Sequence, residues 1–96
     1  MHEVLKLLDM CKFPDIGVVI SGVNPYFDTL EKEKIEKLIG KRIIIRKPSG
    51  GDIKVEVKGI DVASSLIGKK NISIQLGESI QLEELEVNST VYGTGS

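Results

Sequence analysis

Two stretches of strict alternation constrain this chain more than any other feature. Ile53, Val55 and Val57 alternate with Lys54, Glu56 and Lys58, and Ile72, Ile74 and Leu76 alternate with Ser73 and Gln75. Successive side chains of a strand point to opposite faces, so each segment carries one apolar and one polar face. A sheet packed on one side and wet on the other is the antiparallel arrangement. The core must be aliphatic, because the chain has two Phe, two Tyr and no Trp. Ile and Val suit a pleated surface.

The rest of the chain reads as short strands and turns. Ile16–Val23 is β-branched at its centre, with tight approaches or bulges expected at Gly17 and Gly22. Asn24-Pro25 starts a turn. Asp28-Thr-Leu-Glu31 has capping-box spacing with Asp28 as the cap. Leu30, Ile35, Leu38 and Ile39 share one side of a charged segment, which predicts one short helix near 29–38 that stops at Gly40. Lys41–Lys47 and Asp52–Asp61 are expected to be two strands joined by the Pro48–Gly51 hairpin loop. Val62–Lys70 is expected to be a loop, and Asn71–Leu76 a strand. Ile80–Leu82 fits a short strand or a turn, and Glu83–Val87 one helical turn. Asn88 is expected in the left-handed conformation before a last strand, Ser89–Tyr92. Val4–Cys11 fits a helical stripe (Val4, Leu7, Leu8, Cys11) or a short strand. Residues 1–96 make a single domain, with 94–96 as a disordered tail. Many short strands between turns indicate an all-β sandwich or barrel, and a barrel removes its edges by closing.

Several segments resemble the second domain of translational GTPases of the elongation factor Tu type. The run Asp9-Met-Cys-Lys-Phe-Pro14-Asp-Ile-Gly17-Val-Val-Ile-Ser-Gly22 is similar to that domain's opening. Leu38-Ile39-Gly40 followed by Ile43 and Ile45, Val55–Ile60, Ile72–Gly77, and Ile80–Leu85 with Val91 resemble its later strands in the same order. The resemblance implies a small, closed or partly open Greek-key β-barrel of six to seven mainly antiparallel strands. It also makes Val4–Cys11 the first strand. No Gly-x-x-x-x-Gly-Lys-Ser/Thr phosphate loop occurs, so the chain is expected to be the barrel standing alone, without the GTPase domain. Where the family tends to place Arg after Ser-Gly, near the aminoacyl end of tRNA, this chain has Val23 and then the 24–39 insertion. A tRNA-end pocket is therefore not implied.

Composition narrows the function classes. A net charge of -1 provides no global attraction to nucleic acid. One cysteine permits no internal disulfide and suits a reducing, cytoplasmic setting. No apolar run approaches the roughly 20 residues that cross a membrane, and no signal-peptide pattern opens the chain. No cysteine–histidine cluster has metal-ligand spacing, and no Arg-x-Tyr-Ser flavin signature occurs, so no cofactor is expected. His2 is the only histidine and lies near a terminus. Cys11 beside Lys12 reads as a small buried hydrophobe rather than an activated thiol. Glu83, Glu84 and Glu86 read as a solvated turn rather than an acid/base pair. No catalytic constellation is evident.

Two surfaces remain as candidates. If Ile43 and Ile45 point inward, Arg42 and Arg46 share an outer face with Lys54 and Lys58, with Glu56 and Ile44 among them and Lys47 at the tip. That basic hairpin would contact RNA, a ribonucleoprotein or an acidic protein surface, or would be an ordinary wet strand face. The second is the insertion, where Tyr26 and Phe27 anchor a protein partner or self-association, or else cap an open barrel end. The first reading is a non-enzymatic binding module using the hairpin, and the alternative is a protein–protein or assembly module using the insertion.

Overall fold

The computed structural model describes residues 2–95. Seven strands run in the order β1 (His2–Phe13), β2 (Gly17–Val23), β3 (Arg42–Arg46), β4 (Asp52–Glu56), β5 (Gly59–Ser64), β6 (Lys70–Gly77) and β7 (Thr90–Gly93). One helix, α1 (Lys32–Ile39), lies between β2 and β3. The strands form one sheet in the spatial order β4-β3-β7-β1-β2-β6-β5, and each pairing is antiparallel.

The alternating segments behave as their spacing requires. Ile72, Ile74 and Leu76 are buried, while Ser73 and Gln75 are only partly covered. Val55 is buried with Ile53 and Val57 packed beside it, and Lys54, Glu56 and Lys58 are exposed. Ile43, Ile45, Val91, Leu5 and Leu7 complete a shared aliphatic core.

The Val4–Cys11 ambiguity resolves as strand, within the 12-residue β1. Register shifts interrupt β1 between Glu3 and Leu5 and between Leu7 and Asp9. The first lets neighbouring Val4 and Leu5 both bury. The second inverts the alternation, so Met10 faces the core and Cys11 faces out. The expectation of a buried Cys11 is thereby corrected.

The two glycines of β2 serve different ends. Gly17 has φ 78° and sits at a bulge opposite Gly77. At Gly22 a side chain would collide with the Lys6 carbonyl oxygen, so β1 and β2 can pair closely only with glycine there.

The helix starts later than the capping-box spacing implied. Its N-cap is Glu31, which makes no side-chain cap. The Asp28 carboxylate instead accepts the Lys70 backbone N–H at 3.0 Å, which removes it from the helix end. Ile35 and Ile39 bury, and Gly40 ends the helix. Helix α1 packs on β1, β5 and β7, with Leu38 and Ile39 directly over Gly93. Asn88 takes φ 72°, as its position implied. Thr94 is held rather than frayed: its N–H donates to the Ile39 carbonyl at 3.0 Å and its hydroxyl to the Arg42 carbonyl at 2.7 Å. Ser96 lies outside the described residues.

Asp52–Asp61 is not one strand. It breaks at Val57-Lys58 into β4 and β5, which are the two edges of the sheet. No ladder joins the edges to each other, so the sheet is not closed. At the break, the Val57 N–H donates to the Lys41 carbonyl at 2.8 Å and the Lys58 N–H to the Gln75 carbonyl at 2.7 Å. Val62–Ser64 belongs to β5 rather than to a loop, which leaves Ser65–Lys69 as the β5–β6 turn.

Candidate functional site

The register of the β3–β4 hairpin sets the chemistry of its outer face. Arg42 pairs with Glu56, Ile44 with Lys54 and Arg46 with Asp52. The two arginines thus stand opposite carboxylates across the ladder, while Lys54 stands opposite Ile44. Arg46 forks onto Asp52, with Nε to Oδ1 at 3.0 Å and an Nη to Oδ2 at 3.2 Å. The hydrogen bonds from Arg46 hold the Asp52 carboxyl below the usual carboxylate range, and Asp52 raises Arg46 in turn. The Arg46 guanidinium also lies 5.1 Å from the centroid of the Tyr92 ring. Lys58 Nζ meets Glu56 at 3.3 Å. Asp52 was not counted on this face in the sequence reading, and it lowers the face's positive charge. Arg42, Lys47 and Lys54 form no ion pair among the described residues.

A groove of about 390 Å³ runs along β4, lined by Arg42, Lys54 and Glu56 on one side and Ser79, Ile80 and Glu84 on another. It carries charges of both signs. Glu84 accepts the Gln81 backbone N–H at 2.7 Å, and Glu86 accepts the Ser49 hydroxyl. These two carboxylates tie turns together. Among the described residues no three His, Cys, Asp or Glu side chains gather as a metal-ligand set.

The second surface is built where the insertion meets the β5–β6 turn. Asn24 fixes the start of the insertion: its Nδ2 donates to the Val4 carbonyl at 2.9 Å and its Oδ1 accepts the Tyr26 N–H at 3.1 Å. A single 3-10 turn over Pro25–Phe27 follows. It sends the two aromatics in opposite directions. Phe27 is buried against the core, while Tyr26 is 87% exposed. The two readings of this pair therefore divide, with Phe27 covering the core and Tyr26 facing solvent.

The insertion also holds the β5–β6 turn from below. Besides the Asp28 bond to the Lys70 N–H, Lys70 Nζ donates to the Leu30 carbonyl. Above this clasp the turn closes on itself, with Ser65 N–H to the Lys69 carbonyl at 2.8 Å and Lys69 N–H to Ser65 Oγ at 3.1 Å. Its tip is Leu66-Ile67. Leu66 is fully exposed and Ile67 is 78% exposed. Val23, on the neighbouring strand end, is exposed as well. The sequence reading passed over Leu66 and Ile67. The available signal was two adjacent large aliphatics between Ser64-Ser65 and Gly68-Lys69-Lys70, outside any period of two.

Between this turn and the outer face of the sheet lies an open dish of about 410 Å³. Val23 pairs with Asn71 and Asn71 with Ala63, so these three residues form one cross-strand row beneath it. Ile67, Ser65 and Lys69 also line it.

No helix among the described residues is long and apolar enough to cross a membrane. No protein-family model, curated protein or solved structure matches the chain.

Proposed function

We propose that this chain is a non-enzymatic binding module that docks a protein partner through the end built by the insertion and the β5–β6 turn. The observation that carries this reading is the exposure of Leu66 and Ile67 on a turn anchored by Asp28 and Leu30. Burying an aliphatic side chain of this size is worth about 1.5–3 kcal/mol, and the fold leaves both in water. Their base is already ordered, so docking pays little entropy there. The test is partner capture from lysate of the producing cells, comparing the wild-type chain with Leu66→Ser/Ile67→Ser. A partner retained by the wild type and lost by an equally stable variant supports the reading. Equal retention by both refutes it.

A second reading rests on a separate observation, the three cations Arg42, Lys47 and Lys54 that lack ion pairs among the described residues. They would meet about three phosphates of RNA, giving affinity that falls as salt rises, with a log–log slope near -2. No RNA binding at low salt would remove this reading.

The fold reading behind both is a partly open Greek-key barrel like the second domain of the elongation factor Tu type. It is supported by the single break at Val57-Lys58, which links both sheet edges, and by the one core shared among all strands. No translational role follows from the fold alone. The open edge has a measurable consequence. Val57 and Lys47 N–H groups bond within the β3–β4 hairpin, so by alternation the Asp52, Lys54 and Glu56 N–H groups point away from β3. Amide exchange at Lys54 should be fast. Protection at Lys54 as strong as at Val55 would indicate a closed barrel instead.

A further inference from the structure

The dish under the β5–β6 turn is more specific than a general apolar patch. We infer that it receives an acidic peptide, with an aliphatic side chain seated in the dish and a neighbouring carboxylate on Lys69. This inference rests on the protein-docking reading above and names the chemistry of the partner.

The floor comes from the sheet. Val23, Asn71 and Ala63 sit side by side on β2, β6 and β5, on the outer face. Small Ala63 leaves the depression, and Val23 supplies an exposed branched wall. Ile67 closes the far side from the turn. The dish is open to solvent, with a volume of about 410 Å³.

The rim carries one sign of charge. Lys69 and Lys70 line the dish, and no Asp or Glu does. Long lysine stems cover apolar surface while their ammonium groups reach water. Lys70 is committed, because its Nζ bonds to the Leu30 carbonyl and its N–H to Asp28. Lys69 uses only its backbone N–H and carbonyl within the turn. Its ammonium makes no ion pair among the described residues and is the group left to meet a carboxylate.

The charge count favours a peptide over a lipid surface. A bilayer draws on several cations, each worth about 1 kcal/mol near an anionic surface. Here the dish offers one free cation, Lys69. Leu66, which stands outside the dish, would lie along the partner's own surface.

The test uses the full chain, isotopically labelled, titrated with three synthetic peptides while amide shifts are recorded. The peptides are Glu-Leu-Asp-Leu-Glu, its neutral isostere Gln-Leu-Asn-Leu-Gln, and the polar control Glu-Ser-Asp-Ser-Glu. The expected result is saturable shifts at Val23, Ala63, Ile67 and Asn71 with the first peptide only. Ile67→Ser and Lys69→Glu, both at exposed positions, should each weaken binding about tenfold or more. Salt should weaken it as well. Equal binding of the neutral isostere overturns the inference, as does the absence of shifts at these four residues. Co-sedimentation with phosphatidylglycerol vesicles and no peptide response would also overturn it. If cellular partner capture still depends on Leu66 and Ile67 while the peptides fail, the docking reading stands and this inference falls.

Discussion

The β3–β4 and β5–β6 hairpins flank the sheet, and each turns on glycine with positive φ, Gly50 and Gly51 in one and Gly68 in the other. Their tips are finished differently. At Pro48-Ser49, the hydroxyl reaches Glu86, and just below it Arg46 grips Asp52. At Leu66-Ile67, the side chains meet water. At Gly50 and Gly68 the positive φ alone calls for glycine, since a side chain at either would meet nothing within 4 Å. Folding therefore accounts for Ser49, Arg46 and Asp52 at the polar end, which are paired within the molecule. It does not account for the apolar one. That contrast is what supports the docking reading proposed above.

The strongest way to sharpen this contrast is to measure what the sheet itself demands. Gly22→Val places a side chain against the Lys6 carbonyl oxygen, between two strands that cannot separate without losing their ladder. A loss above about 4 kcal/mol is expected, seen as a chain largely unfolded in the absence of urea. Ile74→Ala, at a fully buried site in β6, should cost about 2–5 kcal/mol and lower the urea midpoint without changing the slope.

Against that scale, Leu66→Ser/Ile67→Ser should change stability by less than about 0.5 kcal/mol. A cost comparable to that of Ile74→Ala would break the comparison, because the tip would then be part of the fold. The smallest effect belongs to the opposite hairpin. Asp52 has a folded-state pKa below its unfolded value of about 3.9, because Arg46 hydrogen-bonds the charged form. Its contribution to stability is present above that unfolded value and is lost as pH falls through the lower folded pKa. Wild type and Asp52→Asn should therefore differ slightly in midpoint at neutral pH and converge in acid. The difference should shrink with salt, since the pair is exposed. A difference that persists at pH 2 would show that the carboxylate's charge is not its cause.

Much of the sheet was legible because period-two alternation survives in β4 and β6. Burial of Val55, Ile72, Ile74 and Leu76 follows from it directly, whereas the Ile43-Ile44-Ile45 run left the inward face of β3 open. The bend at Val57-Lys58 had a signal that was passed over: core-facing apolar residues run 53, 55, 57 and then 60 and 62, a shift of phase at Lys58-Gly59. Cys11 was misplaced for the opposite reason: a bulge in β1 inverts the faces without leaving a turn residue in the sequence. The helix start was misplaced because the Asp28 carboxylate has a better partner 42 residues away. The basic face was half legible. Arg42, Arg46, Lys54 and Lys58 are exposed as expected, but Asp52 joins them only once the register is known. At the apolar end, Tyr26 could be named and Leu66-Ile67 could not, because exposure at a turn has no period.

The position of β7 has a consequence for how the protein is made. It lies between β3 and β1, so without it the sheet falls into two pieces, β4–β3 and β1–β2–β6–β5. While the ribosome is still synthesising the chain, Val4, Leu5, Ile43 and Ile45 have no complete sheet to share. They must wait for Thr90–Gly93 to emerge and join the first strand to the third. Contacts spanning nearly the whole chain form slowly, and apolar strands left waiting are prone to aggregate. The seventh strand in chain order is thus the clasp of the sheet.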